Sequence, residues 1–202
     1  MGHFRPFRLV AASALLTTLL LAACGRSADE DCLADVAARG ARMTAWSEAP
    51  TRGSCGVDTP VTLLAGRYEL LPPVGTSCRM ASAWLRMEPT IDDLARRQLG
   101  VPVAGVTHYG SYGCRRVNNS WFGRKSLHAT AQALDVSGFV LADGQRIEVA
   151  RDWRSRGPKG RFLRALAKAA CERFSVVLTP ESDRHHQDHL HFDIGPWRHC
   201  GV

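Results

Sequence analysis

Thirteen residues near the C-terminus, DRHHQDHLHFDIG at 183–195, hold four histidines and three aspartates. Imidazoles and carboxylates are ligands that zinc accepts, and imidazole is also suited to moving protons near neutral pH. Within the run, DHLHFDI alternates polar and apolar residues strictly. Successive side chains of a strand point to opposite faces. The alternation therefore predicts Leu190, Phe192 and Ile194 towards the core, with His189, His191 and Asp193 sharing the other face. Two imidazoles there supply at most two ligands, and a zinc ion held through three protein groups needs another.

The segment SLHATAQALDVSGF offers the missing group. His128 precedes Asp135 by seven residues, with the small residues Ala129, Ala131 and Ala133 between them. Asp135 falls inside an otherwise apolar strand, Ala133-Leu134-Asp135-Val136, where a carboxylate is costly to bury unless a charge or a metal compensates it. His128, Asp135 and His191 together make two imidazoles and a carboxylate. That set suits Zn2+ with one position left open for water or substrate.

These residues need a scaffold. Pro60 to Leu64 reads as a short strand, LLPPVGTSC as a proline-broken connection, and CRMASAWLRMEPTIDDLARRQLG as helix, with Met80, Trp84, Met87, Ile91, Leu94 and Ala95 at helical spacing. Pro89 should kink or interrupt that helix. Val101 to His108 reads as a strand leaving through a glycine-rich turn into the long loop GCRRVNNSWFGRKSLHA. AQALDVSGFVLADGQRIEV gives two β-rich runs around a turn, GRFLRALAKAACERF an amphipathic helix, and SVVLTP and HLHFDIG closing strands. The pattern predicts an α+β fold: a small antiparallel β-sheet carrying the zinc site, flanked by helices.

The first residues, MGHFRPFRLVAASALLTTLLLAACGRS, read as a targeting segment. Arg5 and Arg8 precede a short apolar run that ends in small residues and falls short of the ~20 residues of a membrane span. Leu21-Ala22-Ala23-Cys24 resembles the lipobox of bacterial lipoproteins. The resemblance implies a signal peptide at 1–23, acylation at Cys24 and a lipid anchor in the periplasm, with Gly25 leaning towards the outer membrane. Residues 24–50 read as a polar tether and 51–202 as the folded domain. The formal charge of +7 falls only modestly without Arg5 and Arg8, which fits a carboxylate-bearing partner such as an anionic wall polymer. No basic helix stands out, so nucleic acid is the poorer explanation. Beyond Cys24 six cysteines remain, which in an exported chain suggests up to three disulfides. Cys171 and Cys200 are an expected pair, tying the last helix to the C-terminus.

SLHATAQALD followed by HLH resembles the metal motifs of the zinc superfamily that unites lysostaphin-type enzymes, D-Ala-D-Ala metallopeptidases and the hedgehog domain. More closely, CGVDTPVTL, LLPPVGTSCRMASAW, GSYGCRRVN, SLHATAQALDVSGFVLADG and HQDHLHFD resemble the extensin-like C-terminal family of bacterial envelope proteins. The superfamily resemblance places metal ligands on His128, Asp135 and His191, and catalysis on His189. The spacing from His186 through His189 to His191 resembles the penicillin-insensitive murein endopeptidase. One position departs: the motif's glycine is Ala131 here, which bears on the geometry of the metal loop.

The expected function is a zinc-dependent hydrolase that cuts or trims peptidoglycan stem peptides or cross-links at amides involving D-amino acids. Zinc lowers the pKa of a bound water to about 7. His189 is the expected base, with Asp188 as competitor, and His186 donates to the leaving amine or orients His189. Ser126 supports the His128 loop. Arg115, favoured over Arg116 by the resemblance, would clamp a substrate carboxylate, and Tyr112, Asn118 and Trp121 are candidate groove residues. His108, His185 and His199 read as surface or structural. The alternatives are a non-catalytic, zinc-containing wall-binding lipoprotein and a structural lipoprotein with vestigial histidines.

Overall fold

A computed structural model describes Met1 and residues 27–202. The signal segment and Cys24 lie outside the described residues. The chain opens with helix α1 (Ala28–Ala38), capped by Ser27 and Glu30 in a reciprocal capping box, and strand β1 (Arg42–Ala45). Strands β2 (Pro60–Ala65) and β3 (Glu69–Ser77) lead into helix α2 (Cys78–Leu99) and strand β4 (Val103–Gly110). After the long loop come β5 (Ala133–Leu141) and β6 (Arg146–Glu148), then the short helix α3 (Val149–Asp152) and helix α4 (Pro158–Ala170). Strands β7 (Val176–Leu178), β8 (Leu190–Asp193) and β9 (His199–Cys200) finish the fold.

Among the described residues all nine strands join one sheet in the order β1-β2-β3-β4-β5-β8-β7-β9, with β6 paired onto β5. The α+β class is as expected, but the sheet is neither small nor purely antiparallel. β3 and β4 run parallel, as do β7 and β9. A parallel neighbour requires a crossover, and α2 is the crossover between β3 and β4. The stretch expected to be a proline-broken connection is β3 itself. Its upper half pairs with β2 from Val74 to Ser77 and its lower half with β4 from Glu69 to Leu71. Pro72 and Pro73, which have no N–H to give a ladder, fall in the gap between the two pairings.

The expected tether is likewise corrected. Within 24–50, residues 28–45 fold as α1 and β1; β1 pairs with β2 and Cys32 is bonded to Cys78 at the start of α2. Cys55–Cys114 and the expected Cys171–Cys200 are the other disulfides.

Helix α2 starts where Ser77 Oγ accepts from the Met80 N–H and stops at Gly100, whose φ of 69° takes the left-handed cap. Pro89 does not interrupt it; it sits on the exposed side of a continuous helix. Met80, Trp84, Met87, Ile91, Leu94 and Ala95 are all buried, as the 3.6-residue spacing requires. Phe162, Leu163 and Leu166 of α4 join them under the sheet. Phe192 on β8 packs against Trp84 and Phe174, at centroid separations of 6.5 and 5.0 Å. No helix among the described residues is long and apolar enough to cross a membrane.

The most deeply buried carboxylate of α2 is Glu88. It is 2 % exposed, and its Oε2 accepts from the Arg67 N–H at 2.8 Å in the β2–β3 turn. Burial pushes its pKa up from 4.5 to about 7. A group whose pKa rises on folding stabilises the fold below its unfolded value and loses that contribution as pH climbs through the folded one. Glu88→Gln, neutral throughout, should therefore be more stable than the parent at pH 8, by about 3 kcal/mol, and melt higher. The gain should shrink towards pH 4.5, as thermal unfolding at the two pH values will check.

Candidate metal centre

The register of the sheet builds the site. Asp135 on β5 stands directly opposite His191 on β8, while the neighbouring pair Leu134 and Phe192 points the other way into the core. Facing residues on adjacent antiparallel strands bring their side chains together. His191 Nδ1 lies 2.8 Å from Asp135 Oδ1. The third member comes from the 3₁₀ turn Leu127–Thr130, where Ser126 caps the turn and its Oγ accepts from the His128 N–H at 3.3 Å. That turn brings His128 Nε2 to 3.1 Å from Asp135 Oδ2 and 3.2 Å from His191 Nδ1.

The three side chains are buried, and one ligand atom of each lies within 4.8 Å of the others. The far side of each imidazole is held as well. His128 Nδ1 donates to the Ser111 carbonyl at 3.1 Å, and His191 Nε2 donates to Asp193 Oδ2 at 3.3 Å. These contacts leave His128 Nε2 and His191 Nδ1 as the ring nitrogens turned towards Asp135. The cluster could hold a metal ion.

Without a cation the charges must balance otherwise. Burial pushes the Asp135 carboxyl up, but hydrogen bonds and charge from His128 and His191 outweigh it and hold it far below the usual carboxylate range. Burial likewise lowers His191, yet Asp135 and Asp193 overcome that and raise it to about 9. A proton therefore takes the place of a positive ion between the two strands.

His186 and His189 stand beside the triad. Their rings are 5.0 Å apart, and each is tied by Nδ1 to an aspartate at 2.8 Å: His186 to Asp183, His189 to Asp188. His189 Nε2 faces Asp135 at 3.6 Å. Burial lowers the His186 pKa despite the Asp183 carboxylate. The strand pattern put Asp188 on the face of Leu190, but β8 begins only at Leu190. Asp188 precedes the strand, escapes the alternation and orients His189. The roles of Asp183 and Ser111 were not foreseen either; the Asp183 contact is a three-residue return within a turn, and Ser111 acts through its backbone.

The cavity over the triad is also lined by Arg115, Asn118, Arg124 and His185. Tyr112 lies elsewhere, edge-on to Trp46, with its hydroxyl donating to the Cys55 carbonyl. Trp121 projects into solvent. His108 is bound to the Pro72 carbonyl and His199 is exposed on β9. Ala131 ends the His128 turn at φ 51°, ψ 36°. This is the left-handed region, in which a Cβ costs roughly 1–2 kcal/mol and which glycine occupies freely. The turn nevertheless keeps its shape, with the Ala131 carbonyl accepting from Ser77 Oγ and from the Ser77 N–H.

Residues 30–201 match the sequence profile described as extensin-like protein C-terminus. The chain belongs to the extensin-like C-terminal family. No curated protein and no solved structure matches the chain. The match takes in His128, Asp135 and His191 of this extensin-like domain, together with α1 from residue 30 onwards, which lies within the expected tether.

Two outcomes follow for cation binding by the extensin-like domain. Asp193→Ala should weaken divalent-cation affinity about 10- to 100-fold by releasing His191, read by chelator competition. Because metal-free His191 holds its proton up to about pH 9, binding must expel one proton. Affinity should then rise about tenfold per pH unit between roughly pH 6 and 8.

Proposed function

We propose that this protein is a zinc-dependent hydrolase of the bacterial envelope that cuts or trims peptidoglycan peptides at amides involving D-amino acids. The observation that carries the reading is the convergence of three buried side chains: His191 Nδ1 lies 2.8 Å from Asp135 Oδ1, and His128 Nε2 lies 3.1 Å from Asp135 Oδ2 and 3.2 Å from His191 Nδ1. Ligands at zinc's ~2.0–2.1 Å bond lengths occupy corners of a tetrahedron about 3.3 Å apart, and one ligand atom from each of the three residues falls within 4.8 Å of the others. Two imidazoles and one carboxylate suit zinc and leave one position free. The resemblance of SLHATAQALD and HLH to the lysostaphin and D-Ala-D-Ala metallopeptidase motifs supports the same ligand set.

When bound, zinc polarises an amide carbonyl and acidifies water. The protein's own groups do the rest. His189 donates Nδ1–H to Asp188, so its Nε2 lone pair faces the cavity beside the triad and can take the proton of the attacking water. His186 stands beside His189, ring to ring at 5.0 Å, where it orients that ring or donates to the leaving amine. Arg115, lining the same cavity, binds a substrate carboxylate.

The signal segment, the lipobox-like Cys24 and three disulfides support a lipid-anchored location in the oxidising periplasm, on the outer membrane. Incubation of the purified protein with peptidoglycan, followed by mass spectrometry of muropeptides and zinc quantification, tests the activity. One zinc per chain and new peptide products are expected. His189→Ala should keep zinc and lose about 100-fold or more in turnover, whereas His128→Ala should lose both. Stoichiometric zinc without any product would overturn the hydrolase.

A further inference from the structure

The loop between β4 and β5 carries features that the metal centre does not use. From Arg115 to Ser126 the chain folds back on itself as a small hairpin. Arg116 bridges Lys125, the Val117 N–H donates to the Arg124 carbonyl at 3.2 Å, and the Ser126 N–H donates to Arg115 at 3.1 Å. The Cys55–Cys114 disulfide pins its base. At the far end Trp121 and Phe122 are 91 % and 86 % exposed.

The charge of this hairpin is one-sided. No Asp or Glu occurs between Asp93 and Asp135, while the hairpin holds Arg115, Arg116, Arg124 and Lys125. None of these four has a carboxylate partner among the described residues. Arg124 instead lies over the ring of Trp197 at 4.5 Å, and Trp197 is itself 54 % exposed. Exposed aromatics side by side mark an interaction surface more often than chance decoration, and unpaired guanidiniums beside them call for an anionic partner.

Both a lipid surface and an acidic glycopeptide polymer offer anions and apolar area. Continuity decides between them. Arg115, Asn118 and Arg124 of this hairpin also wall the metal cavity. A partner held by the hairpin must therefore be joined to whatever enters the cavity, and a bilayer is not. We propose that hairpin 115–126 is a polymer-gripping arm. Trp121 and Phe122 stack on sugar rings of the wall glycan, while Arg124 and its neighbours pair with carboxylates of the attached peptides. The inference rests on the peptidoglycan reading of the cavity, and it adds that polymer is preferred to short free peptides.

The test is binding, not turnover. The full chain carrying Cys24→Ser, which blocks acylation, is stripped of metal with a chelator and sedimented with purified sacculi or with phosphatidylglycerol vesicles. The parent should pellet with sacculi, in a salt-sensitive manner, and stay behind with vesicles. Trp121→Ala/Phe122→Ala should weaken sacculus binding about tenfold with an unchanged melting temperature, since both residues are exposed. Equal binding by the double variant, no binding by the parent, or retention by vesicles in place of sacculi would each overturn the arm. Sacculus binding by the stripped protein, together with a separate preparation purified without chelator that holds no zinc and makes no product, would end the hydrolase reading and leave the arm standing.

Discussion

A carboxylate in the middle of a sheet has to be neutralised, and the site is organised around that requirement at Asp135. The residue lies on β5, a strand whose neighbours are β4, β8 and, at its far end, β6. Its position opposite His191 and within reach of His128 is what makes its burial tolerable. The rest of the polar cluster serves those two imidazoles. Ser111 and Asp193 hold their outer nitrogens, Ser126 shapes the turn that delivers His128, and Phe192 fixes β8 from the opposite face through Trp84 and Phe174. A charge that can be satisfied only in one register also pins that register. Slipping β8 by one residue would place Phe192 against the carboxylate and His191 in the core.

Much of this was legible in the chain. The strict alternation of DHLHFDI and the lone aspartate in ALDV identified the two strands of the site, because a period of two is visible without a structure. The helical spacing of Met80, Trp84 and Met87 identified α2 for the same reason. Long-range pairing was not legible. For residues 28–45 the one local sign is the Ser27–Glu30 capping box; that the segment adds an edge strand to the domain depends on Cys78 and β2, distant in sequence. The prolines of LLPPV hid β3, since their exemption from the ladder depends on which neighbour each half of the strand has. Asp183 and Asp188 were equally hidden; each acts through a turn that no periodicity describes.

The two layers of the molecule divide the labour. Helices α2 and α4 fill the apolar face and leave the other to polar groups, so that neither must compromise for the other. The Cys55–Cys114 link joins the segment before β2 to the hairpin beside the cavity. It ties one wall of the cavity covalently to the sheet scaffold.

The split origin of the triad also bears on the order of events when the chain is made. His128 and Asp135 emerge together, but His191 follows more than fifty residues later. The intervening chain must first lay down α4 and β7 before β8 can enter between β7 and β5. A partly made chain thus has no three-residue cluster and cannot capture a metal ion through this set before it has folded. Completion of the three-residue cluster therefore coincides with placement of the last strands of the sheet.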